Sequence, residues 1–154
     1  MSIWFMPYTL ENVREFTDIF LVKHLGIELV ELGDDYLSGI MPVDDRTRMP
    51  LGLLHGGASC VLAESLASIA SFLCINPEES HTAGLEINAN HVRGVKHGNV
   101  TGTCRPLHIG RSHHVWDIRI KDENERLVCT SRMTAAVLAG KASRSPAKTS
   151  KVSA

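Results

Sequence analysis

The sequence predicts an α+β fold in which an antiparallel sheet curls around one long buried helix. Three observations predict it. Residues 58–74 read ASCVLAESLASIASFLC, apolar nearly all round and built largely of small side chains; a helix apolar on every side is buried on every side. The segments after it alternate like strands with no second helix among them, and strands that follow one another without crossover helices pair antiparallel. The chain has 154 residues and is 44% hydrophobic, a length for one domain and enough apolar surface for one core.

Taken in order, residues 9–23 read as a short amphipathic helix: Thr9 can cap it, Leu10, Val13, Phe16 and Phe20 share helical spacing, and Gly26 lies just beyond. Two strand-like runs follow, 27–32 and 36–43, around the turn residues Gly33, Asp34 and Asp35. Residues 44–52 form a polar loop containing Pro50. The long helix spans 57–74 and ends at Asn76-Pro77. Four strands follow, roughly 82–93, 99–107, 112–121 and 126–138, separated by Gly98, Gly110 and the stretch 122–125. The folded domain is expected over 1–138; residues 139–154 are small, polar and basic and read as a disordered tail.

The formal net charge is −1 and no long charge run is present, so neither nucleic acid nor an anionic membrane is expected as a partner. The first residues lack a basic region followed by an apolar stretch and do not read as a signal peptide. No apolar run is read as long enough to span a bilayer. Cys60, Cys74, Cys104 and Cys129 form no Cys-x-x-Cys pair and sit in apolar contexts. They read as free thiols of a cytoplasmic protein.

Glu64 is the strongest anomaly, a carboxylate inside the most apolar helix of the chain. Such a group is costly unless paired or used; an Arg partner from a strand is the competing reading. Just upstream, His55-Gly56-Gly57 leads into the helix. The first turn of a helix offers unpaired N–H groups and partial positive charge, which can hold a developing oxyanion. His55 can orient this turn or donate to a carbonyl, although a plain glycine-rich helix start has the same sequence. Ser68 shares a face with Glu64 and could hold a water or the carboxylate, although a small residue for close packing, or a hydroxyl bonded back to its own helix, is the commoner role of such a serine. Gly56 and Glu64 are eight positions apart, roughly 12 Å along a helix. A single reacting carbon must lie about 3 Å from both. Two antiparallel helices across a two-fold axis can satisfy this where one cannot. A homodimer with interface sites is therefore expected, each using Gly56 of one chain and Glu64 of the other.

The eight histidines show neither a His-x-x-x-His helix nor a Cys/His cluster at zinc spacing, and no metal is expected. Arg93, Arg111 and the turn His108-Ile109-Gly110-Arg111-Ser112 suit a phosphate, with ordinary surface charge as the alternative. Trp116 reads as core.

The stretch Gly52-Leu-Leu-His-Gly-Gly-Ala-Ser59, followed by Leu62-Ala-Glu-Ser65 and Ser68, resembles the hotdog-fold thioesterases of the aryl-CoA type. Gly84-Leu-Glu-Ile-Asn-Ala-Asn-His-Val-Arg93, Pro106-Leu-His-Ile-Gly110, Val115-Trp116 and Cys129-Thr-Ser-Arg-Met-Thr134 extend the likeness over about residues 9–138. The resemblance implies the hotdog fold, a dimer of dimers, and hydrolysis of an acyl-CoA. The acyl group would be aromatic, of the 1,4-dihydroxy-2-naphthoyl or hydroxybenzoyl kind, with a place in menaquinone biosynthesis. It matches Glu64 to the catalytic carboxylate, nucleophile or general base, and Gly56 to the N–H that polarises the thioester. It matches His55 to a helper and Ser68 to a group positioning water. Gly84, the segment His91-Val92-Arg93-Gly94 and the turn from His108 through Ile109, Gly110, Arg111 and Ser112 to His113 match regions that bind CoA. Coenzyme A is then part of the substrate and no cofactor is needed. One departure stands out: the family commonly has Gln before Pro-x-Gly, and this chain has Met49.

Two rivals remain at this stage. A hydratase or dehydratase acting on acyl thioesters would change the absorbance without releasing thiol. A non-catalytic acyl-CoA binding module would bind without turnover, and gains nothing from a desolvated carboxylate.

Overall fold

The computed structural model describes residues 1–140. The tail expected from residue 139 lies outside them but for its first two residues, and Ala139 closes the last strand.

The expected N-terminal helix is present in pieces. Helix α1 spans Leu10–Arg14, a 3-10 turn follows at Glu15–Thr17, and α2 spans Phe20–His24. Thr9 caps α1 in a reciprocal box with Asn12. Continuity is lost at Thr17 to Ile19. The Thr17 hydroxyl donates back to the Arg14 carbonyl at 2.9 Å, and Ile19 takes an extended conformation. Both are β-branched, and such side chains weaken a helix against the preceding turn. The buried stripe also ends there: Val13 is buried and Phe16 packs edge-on to Phe72, but Phe20 is 79% exposed.

Six strands form one antiparallel sheet: β1 Glu28–Leu32, β2 Leu37–Pro42, β3 Ser80–His91, β4 Asn99–Ile109, β5 His113–Asp122 and β6 Leu127–Ala139. Their order is β1-β2-β4-β5-β6-β3. The β5–β6 turn is closed by Asp122, whose carboxylate accepts from the backbone N–H groups of Asn124 and Arg126, each at 3.0 Å. At one end of the sheet β3 pairs only with β6, leaving one edge of a 12-residue strand without a partner. A long unpaired edge is a template for pairing with another chain.

Helix α3, Gly56–Leu73, lies in the concavity of the sheet. Leu62, Ala63, Leu66, Ala67, Ala70 and Leu73 are fully buried. Leu66 reaches so close to β2 and β4 that a Cβ at Gly39 or Gly102 would stand 2.9 or 2.8 Å from its methyl carbons. Two side-chain-free positions thus let the helix settle onto the sheet. Trp116, on β5, is fully buried as expected, and its indole N–H donates to the Ser71 hydroxyl at 2.7 Å. By length and composition α3 would pass as a membrane span, contrary to the reading of the apolar runs above; 56% of it is buried inside this fold, which marks a core helix.

Candidate active site

The N-terminus of α3 is built by His55. Its backbone is extended, and its ring Nδ1 accepts from the Gly57 N–H at 2.8 Å. His55 therefore caps the helix and orients the turn, and with Nδ1 accepting, its Nε2 is the ring nitrogen that can still donate to a carbonyl. Its carbonyl takes the N–H groups of Ala58 and Ser59 at 3.0 and 3.2 Å. The Gly56 N–H makes no hydrogen bond among the described residues. Gly56 lines a cavity of about 340 Å³ together with Met49, Leu53, Leu54, Ser59, His91, Val92, Arg93, Gly94 and Val128. The His91 ring lies against Gly56: a Cβ there would be 2.8 Å from its Nε2.

Two turns along the same helix Glu64 is half-buried and forms no ion pair among the described residues. The alternative of a strand arginine partner is not what the fold provides. Burial holds the Glu64 carboxyl above the ordinary carboxylate range, opposed by the Ser68 hydroxyl, which donates to Oε1 at 3.5 Å. The carboxylate rests against β3 at Gly84, where a Cβ would stand 2.3 Å from Oε1. Only glycine leaves this room. A bulge lies at the same point, with Gly84 paired to Ala135, Glu86 to Thr134 and Leu85 unpaired. Bulges often re-aim strands beside functional sites.

The residues expected to act together fall into two groups in one chain. Met49, Gly56 and the segment from His91 to Gly94 share the first cavity. Glu64, Ser68 and Gly84 lie together elsewhere. The turn from His108 to His113 belongs to that second end, because Gly84 pairs with Ala135 and Ala135 with His114. Between Gly84 and His91 β3 advances seven residues, roughly 23 Å of extended strand. In the turn, the His108 and His113 rings stack at 4.9 Å between centroids. Arg93 and Arg111 are exposed and unpaired among the described residues, one at each end.

Sequence reasoning assigned Gly84 to the CoA arm and missed its contact with Glu64. A glycine inside a strand is a signal of close approach, but the partner of that approach is not readable from the chain. It also missed His114, which is buried and has an Nδ1 without a hydrogen bond. All four cysteines are free, two buried and two half-buried. Burial pushes the Cys74 and Cys104 thiols up to about 12. Among the described residues no group of three or more His, Cys, Asp or Glu could hold a metal ion.

A helix wrapped by an antiparallel sheet, with a free N–H at its start and a desolvated carboxylate along it, defines the hotdog thioester-processing class. The thioesterase superfamily matches residues 51–129. The 1,4-dihydroxy-2-naphthoyl-CoA hydrolase of Escherichia coli K12 is 52% identical over 136 residues, 88% of this chain and 99% of that protein. A solved structure of a thioesterase variant from Pseudomonas aeruginosa, glutamine replaced by alanine, superposes with a TM-score of 0.87 at 45% identity, covering 90% of this chain and 99% of that one. SAV0944 from Staphylococcus aureus, solved with a glutamate replaced by alanine, gives a TM-score of 0.76 at 38% identity over 78% of this chain and 99% of that one. The same protein, there described as a thioesterase enzyme, is solved with a glutamine replaced by alanine. The chain belongs to the thioesterase superfamily and is a thioester hydrolase acting on acyl-CoA.

Proposed function

We propose that this chain hydrolyses acyl-CoA esters of aromatic acids at sites shared between two subunits, with Glu64 of one and the Gly56 N–H of the other. The observation that carries the reading is the separation of the two half-sites within a single chain, together with the open edge of β3. Pairing two β3 strands antiparallel about an axis between Ile87 and Asn88 would set Gly84 of one opposite His91 of the other. Glu64 would then face the partner's Gly56 cavity. The relatives support the choice of carboxylate: the glutamate and glutamine replaced in the staphylococcal protein are fifteen residues apart, as are Glu64 and Met49 here.

In this reading the carbonyl oxygen points at the Gly56 N–H, where developing negative charge is stabilised. Glu64 either takes a proton from a water whose oxygen bonds to the carbonyl carbon, or bonds to that carbon itself and is released by water. In both routes the C–S bond breaks with its electron pair on sulfur. The thiolate leaves and takes its proton from solvent. His55 holds the turn and Ser68 the carboxylate or its water. The turn from His108 to His113, with Arg111, and the segment from Val92 to Gly94, with Arg93, offer donors for the CoA phosphates and arm. No cofactor beyond the substrate is used.

The name of the Escherichia coli relative supports 1,4-dihydroxy-2-naphthoyl-CoA as substrate; the family resemblance and the free thiols of the sequence support a role in menaquinone biosynthesis in the cytoplasm. Family resemblance supports a second association, of two dimers into a tetramer. The test is thiol release from a panel of aromatic and aliphatic CoA esters. Faster release from naphthoyl- and benzoyl-type esters supports the aromatic reading, and equal or faster release from aliphatic esters refutes it. Absorbance change without thiol would indicate a hydratase, and tight binding without turnover a binding module.

A further inference from the structure

We propose that His91 supplies a second hydrogen bond to the thioester carbonyl, beside the Gly56 N–H; this rests on the hydrolase reading above. A carbonyl oxygen has two lone pairs, and the tetrahedral oxyanion formed from it gains from every donor fixed in place. The helix start provides one free N–H. The side chain pressed against that same glycine is His91. A Cβ at Gly56 would stand 2.8, 3.1 and 3.2 Å from Nε2, Cδ2 and Cε1 of the ring, so the Nε2 edge faces the glycine. His91 ends β3, and its ring makes no hydrogen bond among the described residues. The donor is free to turn to a ligand. Nε2 carries a proton in one neutral tautomer and in the imidazolium, so the donor is available in both charge states.

Met49 on the same cavity wall leaves this role to His91 in this chain. Its thioether has no N–H to give. The staphylococcal relative carries glutamine at the corresponding distance from its replaced glutamate, and the glutamine replaced in the Pseudomonas protein bears the residue number of Met49. A glutamine amide can donate to a carbonyl; here the donor facing Gly56 is the His91 imidazole.

The experiment is steady-state kinetics of the full chain on the best ester of the panel, with His91→Ala, His91→Gln, Met49→Gln and the combination of Met49→Gln with His91→Ala. Loss of an oxyanion donor lowers kcat by at least about tenfold, with KM changed less than about threefold. His91→Gln keeps an N–H and recovers part of the loss. Met49→Gln gives a gain at least about tenfold larger in the His91→Ala background than in the wild type, because the amide then fills an empty place. A rise in KM with kcat unchanged would make His91 a contact for the CoA arm and overturn the proposal. So would equal gains from Met49→Gln in both backgrounds, or wild-type kcat in His91→Ala. Melting temperatures confirm that each variant is folded. A wild type that releases no thiol from any ester would sink the hydrolase reading itself, an outcome distinct from these.

Discussion

Replacing Gly84 by Ala should cripple turnover while leaving the fold intact. The added Cβ would stand 2.3 Å from Glu64 Oε1, with Met133 Cε and Glu64 Cδ both at 3.4 Å, an ordinary contact. The carboxylate must therefore retreat by about 1 Å to reach van der Waals distance. What gives way is the far end of one side chain rather than backbone, and Gly84 has no positive φ to protect. Stability should change by less than about 1 kcal/mol, since removing a strand glycine also lowers unfolded-state entropy. Turnover is less forgiving: a displacement of about 1 Å of a reacting group can cost about 100-fold, or about 2.7 kcal/mol of barrier. The assay is thiol release alongside thermal melts, with Glu64→Asp made in both backgrounds. The shorter Asp side chain clears the new methyl, so Glu64→Asp should cost less in Gly84→Ala than in the wild type. A Gly84→Ala enzyme within about threefold of wild-type kcat would refute the reasoning, as would an Asp penalty equal in both backgrounds.

Three further expectations follow from the same geometry. Because burial holds Glu64 above the ordinary carboxylate range and only its anion can attack or accept a proton, the acidic limb of the kcat profile should lie above the usual Glu value of about 4.3. The same shift carries a stability sign. A carboxyl whose pKa is raised on folding is harder to ionise in the native state, so the native state loses stability as pH rises from the unfolded pKa to the folded one. Glu64→Gln should therefore raise the melting temperature at neutral pH, with the gain vanishing below about pH 4; a gain equal at both pH values would contradict it. Ser71→Ala strands the Trp116 indole N–H in the core and should cost about 1–3 kcal/mol in denaturant unfolding.

Most of the fold was legible because its signals are local. All-round apolarity marked α3, and alternation marked the strands of the sheet to within a few residues. The N-terminal segment was misread as one helix because apolar spacing continues to Phe20, although Phe20 is exposed and β-branched Thr17 and Ile19 interrupt the backbone. Glu64 and Gly56 could be singled out because each violates an expectation for its place. Gly84 beside Glu64, and His91 beside Gly56, could not be seen, because both contacts join a strand to a helix through the curl of the sheet. Sequence spacing gives strand order and alternation but not where along β3 the helix crosses.

The most direct test of the account is the single-turnover rate of thiol release in Glu64→Ala and Glu64→Gln against wild type, on the best ester of the panel. The account predicts a loss of at least about 1,000-fold, about 4 kcal/mol of barrier, in folded protein that still binds the ester. Release within about tenfold of wild type in either variant would contradict it.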